Sequence, residues 1–332
     1  MREVIDLKHI MAYEKDKYIC TAETATDTLE KYGVAIIPNI LNNDECENLK
    51  KGVWNYFNHI TQTWDVPVTQ ENNESWRGLF NLFPKHAMLH QHFGCGHSQA
   101  VWDVRQNPNV VNVFSHIWKT KPEDLLASFD GLSFAVPPEI TNRGWYRNHT
   151  WYHSDQSFTR PNFECIQGWV TAFDVNEKDA TLAFYEGSNK FHAEFGRQYG
   201  ITDKSDWYKL NDEEENFFIE KGCTEQKIKC PAGSLVLWDS RTIHCGTEAM
   251  RGRESPNFRI VVYTCYQPRS FATERHITKK QKAFNEQRMT SHWPANVKLF
   301  PKNPRTYGNP MPEITPISSP QLTELGKKLA GF

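Results

Sequence analysis

The run WYHSDQSF, residues 151–158, carries the motif around which the rest of the chain can be arranged. The overlapping segment GWYRNHTWYHSD, residues 144–155, is rich in aromatic residues and lacks the apolar spacing of a helix, so we expect a strand that runs through it and ends at the motif. Residues i and i+2 of a strand point to the same face. His153 and Asp155 can therefore reach one ligand together, while Ser154 points away. The pair is a candidate metal site.

Two further stretches complete the pattern. LVLWDSRTIHCG, residues 235–246, supplies a second imidazole in His244, and PNFRIVVYTCY, residues 256–266, supplies Arg259 at the start of an apolar strand. Two imidazoles and one carboxylate on one side of Fe(II) leave positions open for a 2-oxo acid and dioxygen. The planar guanidinium of Arg259 suits the far carboxylate of a bound 2-oxoglutarate, because it binds carboxylates in bidentate fashion and keeps its charge.

The sequence offers rivals for the metal pair. A His-x-Asp triplet is expected by chance in a chain of this composition, so the motif alone is weak. His192 and Glu194 share the same spacing, but SNKFHAEFGRQYG reads as a loop that runs into a polar helix. A helix would place i and i+2 on different faces, which favours His153 and Asp155. We interpret His149, four residues before His153, as a structural or pocket-lining residue.

Arg253 is the rival of Arg259. It lies nine residues after His244, in a loop flanked by glycine, serine and proline, and we interpret it as a solvated loop residue. Arg259 opens a strand in which Val261 and Tyr263 share its face, and we prefer it as the carboxylate clamp.

Composition bounds the class of protein. The chain has 332 residues, 39% of them hydrophobic, and a net charge of −2, which indicates a globular protein without a general electrostatic case for nucleic acid. It has no run of about 18 uncharged apolar residues, so we expect no membrane partner. The charged N-terminus lacks the apolar stretch of a secretory signal. Eight cysteines without a C-x-x-C spacing indicate reduced thiols and a cytoplasmic location.

Hydrophobic periodicity predicts a single domain over residues 1–332, mainly β with flanking helices. We divide it into a helical N-terminal part (about 1–120), a β core (about 125–270), which the family resemblance described below implies to be a jelly roll, and an extended tail (about 271–332). In the first part, Asn42 and Glu45 form a capping box before a helix. The spacing of its apolar residues predicts one buried stripe, formed by Cys46, Leu49, Val53 and Phe57. In the core, short apolar runs broken by turns indicate a sandwich or barrel.

Two expectations concern the flanks of the core, and a third concerns nucleotide binding. The acidic insert at about 196–226 should form a helical or loop excursion over one end of the barrel. The charged run at 275–280 should be a solvated helix face. The chain lacks G-x-G-x-x-G and G-x-x-x-x-G-K motifs, so neither type of nucleotide site is indicated.

Several motifs stand in the order of a known family, and the segment from about 33 to 294 resembles the phytanoyl-CoA dioxygenase-like branch of the Fe(II)/2-oxoglutarate oxygenases. The motifs that carry the resemblance are GVAIIPNILNNDECENL (33–49), SFDG (128–131), HSDQS (153–157), CIQGWVTAFDV (165–175), ATLAFYEGSNK (180–190), GSLVLWDSRTIHCG (233–246) and NFRIVVY (257–263). The chain departs from the pattern at Glu186, where proline is usual, and at Asn189-Lys190, which replace a histidine. The late run SHWP (291–294) is shared with uncharacterised relatives.

The resemblance implies a double-stranded β-helix, a cupin-like jelly roll, and assigns roles to individual residues. Those that would bind Fe(II) are His153, Asp155 and His244. Arg259 would bind 2-oxoglutarate. The residues that would contact 2-oxoglutarate or line the pocket are Gln167, Trp169 and Thr247. Gln156 would hold a hydrogen bond behind the metal ligands.

The implied activity is a dioxygenase that uses Fe(II), 2-oxoglutarate and O2 to hydroxylate a C–H bond of a small molecule, with release of succinate and CO2. Asp155 favours hydroxylation over halogenation, which needs a vacant position in place of the carboxylate. The alternatives are a cupin-type metal enzyme that is not an oxygenase and an inactive jelly-roll binding protein. Neither would need Arg259.

The substrate and the oligomeric state are open at this point. A coenzyme A ester would need a basic groove for its phosphates, and the sequence shows none. The cations that flank the ligand segment would either bind an anionic substrate or be rim charges; they are Arg143, Arg147 and Arg160.

Overall fold

The computed structural model describes residues 15–332, so the first fourteen residues of the predicted N-terminal part lie outside it. Within the described residues, the strands are β1 (Val34–Ile37), β2 (Leu89–His90), β3 (Leu125–Ala127), β4 (Leu132–Ala135), β5 (His153–Ser154), β6 (Ile166–Thr171), β7 (Thr181–Tyr185), β8 (Tyr208–Lys209), β9 (Glu225–Lys227), β10 (Leu235–Asp239), β11 (His244–Thr247) and β12 (Arg259–Pro268). The α-helices in the same part of the chain are α1 (Ala25–Tyr32), α2 (Asn43–Ile60), α3 (Gln99–Arg105), α4 (Pro108–Trp118), α5 (Pro138–Thr141), α6 (His192–Gln198), α7 (Asp212–Glu220), α8 (Glu274–Asn285) and α9 (Glu324–Ala330).

The strands form two antiparallel sheets that face each other. The large sheet has the order β1-β10-β6-β12-β4-β2, with β3 paired to β12, and the small sheet has the order β8-β5-β11-β7-β9. The sheets remain separate and do not close into a barrel. This arrangement confirms the predicted fold class, mainly β with flanking helices in a double-stranded β-helix.

Strict alternation along the strands of the large sheet separates its two faces. Val34 and Ile36 of β1 pack between the sheets, in one cluster with Phe184 of β7. Ala35 and Ile37 point the other way, into a second and larger core. Because the side-chain period of a strand is two residues, one apolar run supplies both cores.

The helices of the first part of the chain cover the outer face of the large sheet. The capping box at Asn42 and Glu45 is present at the start of α2. The predicted apolar stripe of that helix is buried in the outer core; its members are Cys46, Leu49, Val53 and Phe57. Both predictions for α2 are therefore confirmed.

The insert packs differently from the prediction. Phe195 of α6 and Phe217 and Phe218 of α7 form a third core with Tyr152 and Tyr185 of the small sheet. The insert therefore covers the outer face of the small sheet and not an end of the jelly roll. The apolar residues of the insert cause this packing. The prediction rested on its acidic composition and did not take those residues into account.

The charged run at 275–280 is also a correction. It does lie on a helix, α8, but Lys280 is only 1% exposed and its ammonium donates to the carbonyl oxygen of Ala127. The face is therefore not solvated throughout. A carbonyl of β3 offers the lysine a hydrogen-bond acceptor that charge patterning could not reveal.

The tripartite division of the domain stays a prediction, and the structure adds that the N-terminal part contributes β1 to the large sheet. Over residues 15–332, no helix combines the length and the apolar character that crossing a membrane requires.

Candidate metal centre and its cavity

The three predicted metal ligands converge on the inner side of the small sheet. His153 lies on β5 directly opposite His244 of β11, and Asp155 follows β5 by one residue. Nε2 of His153 lies 3.5 Å from one carboxylate oxygen of Asp155, and Nε2 of His244 lies 3.2 Å from the other. All three residues are buried, and one ligand atom of each lies within 4.8 Å of the others.

Backbone carbonyls fix which imidazole nitrogens face the carboxylate. Nδ1 of His153 donates to the carbonyl oxygen of Trp151 at 3.1 Å, and Nδ1 of His244 donates to that of Thr242 at 2.8 Å. A carbonyl oxygen only accepts, so Nδ1 carries the proton in both rings. Each Nε2 therefore presents a lone pair toward Asp155. Stacking of Trp151 on His153, with ring centroids 4.7 Å apart, further fixes that ring.

The donor set fits a divalent cation. Lone pairs on two nitrogens and one carboxylate face one another, an arrangement that repels unless a cation lies between them. Neighbouring ligands about 2.1 Å from a metal lie roughly 3 Å apart, close to the separations of His153 and His244 from Asp155. Two histidines and one carboxylate with open positions are the preference of non-haem Fe(II).

The protonation states suit this interpretation. Burial lowers the pKa of the His153 imidazole by more than the nearby Asp155 raises it, which favours the neutral ligand form. Burial alone would raise the pKa of Asp155. The neighbouring His292 and His153 outweigh that effect and hold it well below its usual range. The carboxylate is therefore ionised, as metal ligation requires.

Gln167 orients the carboxylate. Its Nε2 donates to an Asp155 oxygen at 2.6 Å and lies 3.2 Å from the hydroxyl of Ser240. Gln156 does not take part: its amide donates to the carbonyl oxygens of Arg160 and Asn162. The support that we expected from Gln156 is thus supplied by Gln167, across the cavity on β6.

Arg259 lies where β12 of the large sheet begins, and its guanidinium lines the same cavity as the three ligands. Its Nε donates to the hydroxyl of Ser133 at 2.8 Å, and one terminal nitrogen donates to the carbonyl oxygen of Ala180 at 2.9 Å. Neither partner carries a charge, and among residues 15–332 no carboxylate forms an ion pair with this buried cation. Its position suits it to bind a carboxylate ligand.

Arg253 is placed quite differently. It forms ion pairs with Glu139 and Asp179, the latter at 2.9 Å, and it does not line this cavity. The expectation that it is a solvated loop residue is wrong, because its side chain is buried between two carboxylates. These two ion pairs already neutralise the charge of Arg253.

The rival metal pair also has other partners. His192 is the first residue of α6, and its Nε2 bonds to the carbonyl oxygen of Gln156 at 3.0 Å. Glu194 forms an ion pair with Lys221. His149 is exposed and lines a neighbouring pocket.

A cavity of about 440 Å³ opens between the sheets at the metal ligands. Gln167 and Trp169 line it, as predicted for residues that contact 2-oxoglutarate or form the pocket wall. Thr247 does not line it: the Thr247 hydroxyl donates to the carbonyl oxygen of Thr181 at 3.3 Å, within the small sheet. The predicted contact between Thr247 and 2-oxoglutarate therefore has no support in its position.

Sequence reasoning missed part of the cavity wall. The missed residues come from the insert and the tail: Asp206, Trp207, His292, Trp293, Lys298 and Phe300. An ion pair of 2.6 Å between Lys298 and Asp206 ties the tail to the insert. In the sequence, only a likeness to relatives marks the SHWP run (291–294). No spacing rule connects this run to His153 and Asp155, which lie more than 130 positions earlier.

The sequence model of the phytanoyl-CoA dioxygenase (PhyH) family matches residues 29–253, more than half of the chain. The chain belongs to this family. The match includes all three metal ligands and ends before Arg259. Members of the PhyH family are non-haem oxygenases that use Fe(II), 2-oxoglutarate and O2.

The chain is also similar to one curated relative and to two solved structures. The relative is Ava biosynthesis cluster protein O of Aspergillus versicolor, 28% identical over 211 residues; the match covers 61% of this chain and 65% of the relative. The chain thus spans less than two thirds of that relative's length.

Among solved structures, a hypothetical protein from Escherichia coli matches with a TM-score of 0.58 and 13% identity, covering 95% of this chain and 84% of that one. A putative oxidoreductase from Salmonella typhimurium LT2 matches with a TM-score of 0.56 and 12% identity, covering 95% and 86%. At these identities the similarity extends to the fold alone.

Proposed function

We propose that this protein hydroxylates a C–H bond of a small molecule. The observation that carries the proposal is the convergence of His153, Asp155 and His244 in a cavity that also holds Arg259, a buried cation that pairs with no carboxylate of the described residues. The first three would hold Fe(II). The fourth would bind the distal carboxylate of 2-oxoglutarate.

The two sheets would divide this work. The small sheet supplies the metal ligands, and β12 of the large sheet supplies Arg259. Tyr263, four residues along β12, lies on the same face and lines the cavity. A 2-oxo acid could therefore reach the metal at one end and Arg259 at the other. Gln167 would keep the Asp155 carboxylate in place across the gap between the sheets.

Iron bound at this triad would supply the chemistry by which O2 oxidises 2-oxoglutarate and the substrate together. In the proposed reaction one oxygen atom enters succinate as CO2 leaves, and the other enters the C–H bond to give an alcohol. The protein's own contribution is to hold the reactants in line and to exclude water. The Trp169 ring in the wall of the cavity serves that exclusion.

The size and lining of the cavity support a compact substrate. A volume of about 440 Å³ is in the range of small-molecule sites. Its walls include five tryptophans: Trp151, Trp169, Trp207, Trp238 and Trp293. Such walls favour a molecule with flat apolar faces. The name of the curated relative refers to a biosynthesis cluster, which agrees with a small-molecule substrate.

The direct test is anaerobic titration of the protein with Fe(II) and then with 2-oxoglutarate. We expect the visible charge-transfer band of a 2-oxo acid chelated to Fe(II), formed at one equivalent of each. Absence of that band in the wild type, with the protein folded, would overturn the proposal.

The reaction itself is tested by admitting O2 in the presence of candidate small molecules. We expect succinate in proportion to a product that is 16 mass units heavier than the substrate, one oxygen atom in a C–H bond. A product of unchanged mass or one lighter by two hydrogens would replace hydroxylation by another oxidative outcome.

A further inference from the structure

A second pocket adjoins the active-site cavity. It has a volume of about 430 Å³ and shares Lys85 and His86 with the cavity. The ring of His86 stacks on Trp151 at 4.1 Å, and Trp151 stacks on the metal ligand His153. One short aromatic stack therefore separates this pocket, which we call the annexe, from the metal centre.

The annexe is strongly cationic. Four of the residues that line it carry a positive charge: Lys85, Arg143, Arg147 and Arg305. All four are exposed, and within the described residues none of them has a carboxylate oxygen within 4.0 Å. Arg143 is held over the ring of Phe80, 4.1 Å from its centroid.

Other cations near the active site are paired. Arg160, which also flanks the ligand segment, contacts Glu164 at 2.8 Å and Asp206. Lys298 contacts Asp206 as well. Arg160 is therefore a rim charge, one of the two readings of the sequence, whereas Arg143 and Arg147 face a pocket with their charges unused.

One carboxylate, Glu248, opposes the four cations of the annexe. Burial raises the pKa of its carboxyl group, with Arg147 and His149 acting against that effect. The protein as a whole carries a net charge of −2, so this concentration of positive charge is local. Cations that line one concave surface act together on an anion, because they lie within about one Debye length of it.

We propose that the annexe binds an anionic group of the substrate, a phosphate, sulfate or carboxylate, while the flat apolar body of the substrate lies in the tryptophan-lined cavity. This inference rests on the proposed function. It specifies the substrate as a compact molecule that has an anionic group at one end and is oxidised at the other. The guanidinium groups of Arg143 and Arg147 suit such a group because each can donate two parallel hydrogen bonds.

The test uses three aromatic probes that differ in charge: phenyl phosphate, benzoate and uncharged benzamide. Each is titrated calorimetrically, at fixed ionic strength, into the anaerobic complex of the protein with Fe(II) and saturating 2-oxoglutarate. We expect at least one anion to bind roughly tenfold more tightly than benzamide, the size of a charge-assisted hydrogen bond. The tighter of the two anions identifies the group.

The variant Arg143→Gln/Arg147→Gln should remove the advantage of the anion over benzamide. The matched control is Lys119→Gln/Lys121→Gln, which removes the same charge from exposed residues of a separate surface depression. Equal affinity for all three probes, or equal weakening by the two double variants, would overturn the inference. The charge-transfer band is recorded in the same samples, so its absence would count against the proposed function and leave the annexe to be judged by the anion affinities alone.

Discussion

Two groups of buried ionisable residues lie on opposite faces of the large sheet. One is the metal centre with Arg259, between the sheets. The other lies beneath α3 and α8, on the outer face, and consists of His97, Arg105 and Lys280. Residues of both groups are nearly inaccessible to solvent, so burial does not distinguish them.

The two groups differ in the hydrogen-bond partners of their side chains. In the outer group the side chains end on backbone carbonyl oxygens: Arg105 on those of Gly96 and Asp130, Lys280 on that of Ala127, and Nε2 of His97 on that of Arg288 at 3.0 Å. In the inner group, two imidazole lone pairs and a carboxylate face one another across a cavity. Each side chain of the outer group thus reaches a hydrogen-bond acceptor within the protein, whereas the lone pairs of the inner group face a cavity that a ligand can enter.

Burial of the outer group disfavours the charged forms of its side chains and so costs free energy of folding. Burial lowers the pKa of Lys280 to about 7, that of Arg105 to about 10 and that of His97 to about 3. These shifts are as large as those expected of a functional site, yet these groups do not line the cavity at the candidate metal centre. Convergence of unused lone pairs on a cavity is the better indicator of function.

The largest effect should follow from Asp155→Ala. Loss of the carboxylate removes one of three ligands, and we expect iron affinity to fall by more than about a hundredfold, since residues that merely orient ligands account for roughly ten- to a hundredfold. Fe(II) titration measures it. His97→Phe, in the outer group, is the control and should leave iron affinity unchanged. Tight iron binding by Asp155→Ala would place the metal elsewhere.

Arg259→Ala should weaken 2-oxoglutarate binding by about ten- to a hundredfold, because a bidentate charge-assisted interaction is lost. Iron binding should remain. The measurement is titration of the charge-transfer band with 2-oxoglutarate at saturating Fe(II). Arg253→Ala, which breaks ion pairs outside the cavity, should bind 2-oxoglutarate normally. The reverse pattern would make Arg253 the clamp.

Gln167→Leu should lower iron affinity by roughly tenfold, since Gln167 donates to the Asp155 carboxylate. At saturating iron, we expect 2-oxoglutarate affinity to stay at the wild-type value. A clear loss of 2-oxoglutarate affinity under those conditions would instead assign Gln167 a direct contact with the 2-oxo acid.

The last prediction concerns the pH dependence of stability. The pKa of His97 is about 3 in the folded protein, lowered by burial, against about 6.5 when unfolded. The unfolded chain therefore binds a proton that the folded chain does not, and stability falls as the pH drops below 6.5. The contribution is about 1.4 kcal/mol per pH unit between those two values.

His97→Phe removes that contribution, so its free energy of unfolding should fall less steeply with acidification than that of the wild type. Urea unfolding at pH 7, 6 and 5 measures both slopes. The comparison is of slopes, so any loss of stability from the missing bond to Arg288 does not affect it. Identical slopes would show that His97 is protonated in the folded protein.

The sequence predicted the helices of the first part and the strands of the core because both follow local rules. The Asn42 capping box and the alternation in β1 need only neighbouring residues. The strand at the metal ligands was less predictable. The structure limits β5 to His153 and Ser154, so the expected longer strand through residues 145–152 is wrong. Aromatic content predicted pairing there, but the pairing partners are short.

Local rules also explain why the sequence predicted some residues of the site and not others. His153, His244 and Arg259 lie on strands, and Asp155 follows β5 directly. The period of a strand therefore indicated where these side chains point. Trp207 and Trp293 come from the insert and the tail, and nothing local indicates that they meet. Thr247 follows the distal histidine closely in sequence, but its hydroxyl bonds within the small sheet.

The sequence alone determined the donor types, their spacing and the strand period that turns His153 and Asp155 to one side. Those are properties of the covalent chain and of a two-residue repeat. The tertiary structure decided which cations are used and which remain available. Arg253 and Arg160 form ion pairs with carboxylates brought from distant segments, whereas Arg259, Arg143 and Arg147 form none with the carboxylates of residues 15–332. Charge pairing depends on distances across the fold, and those distances are set by how the two sheets, the insert and the tail pack together.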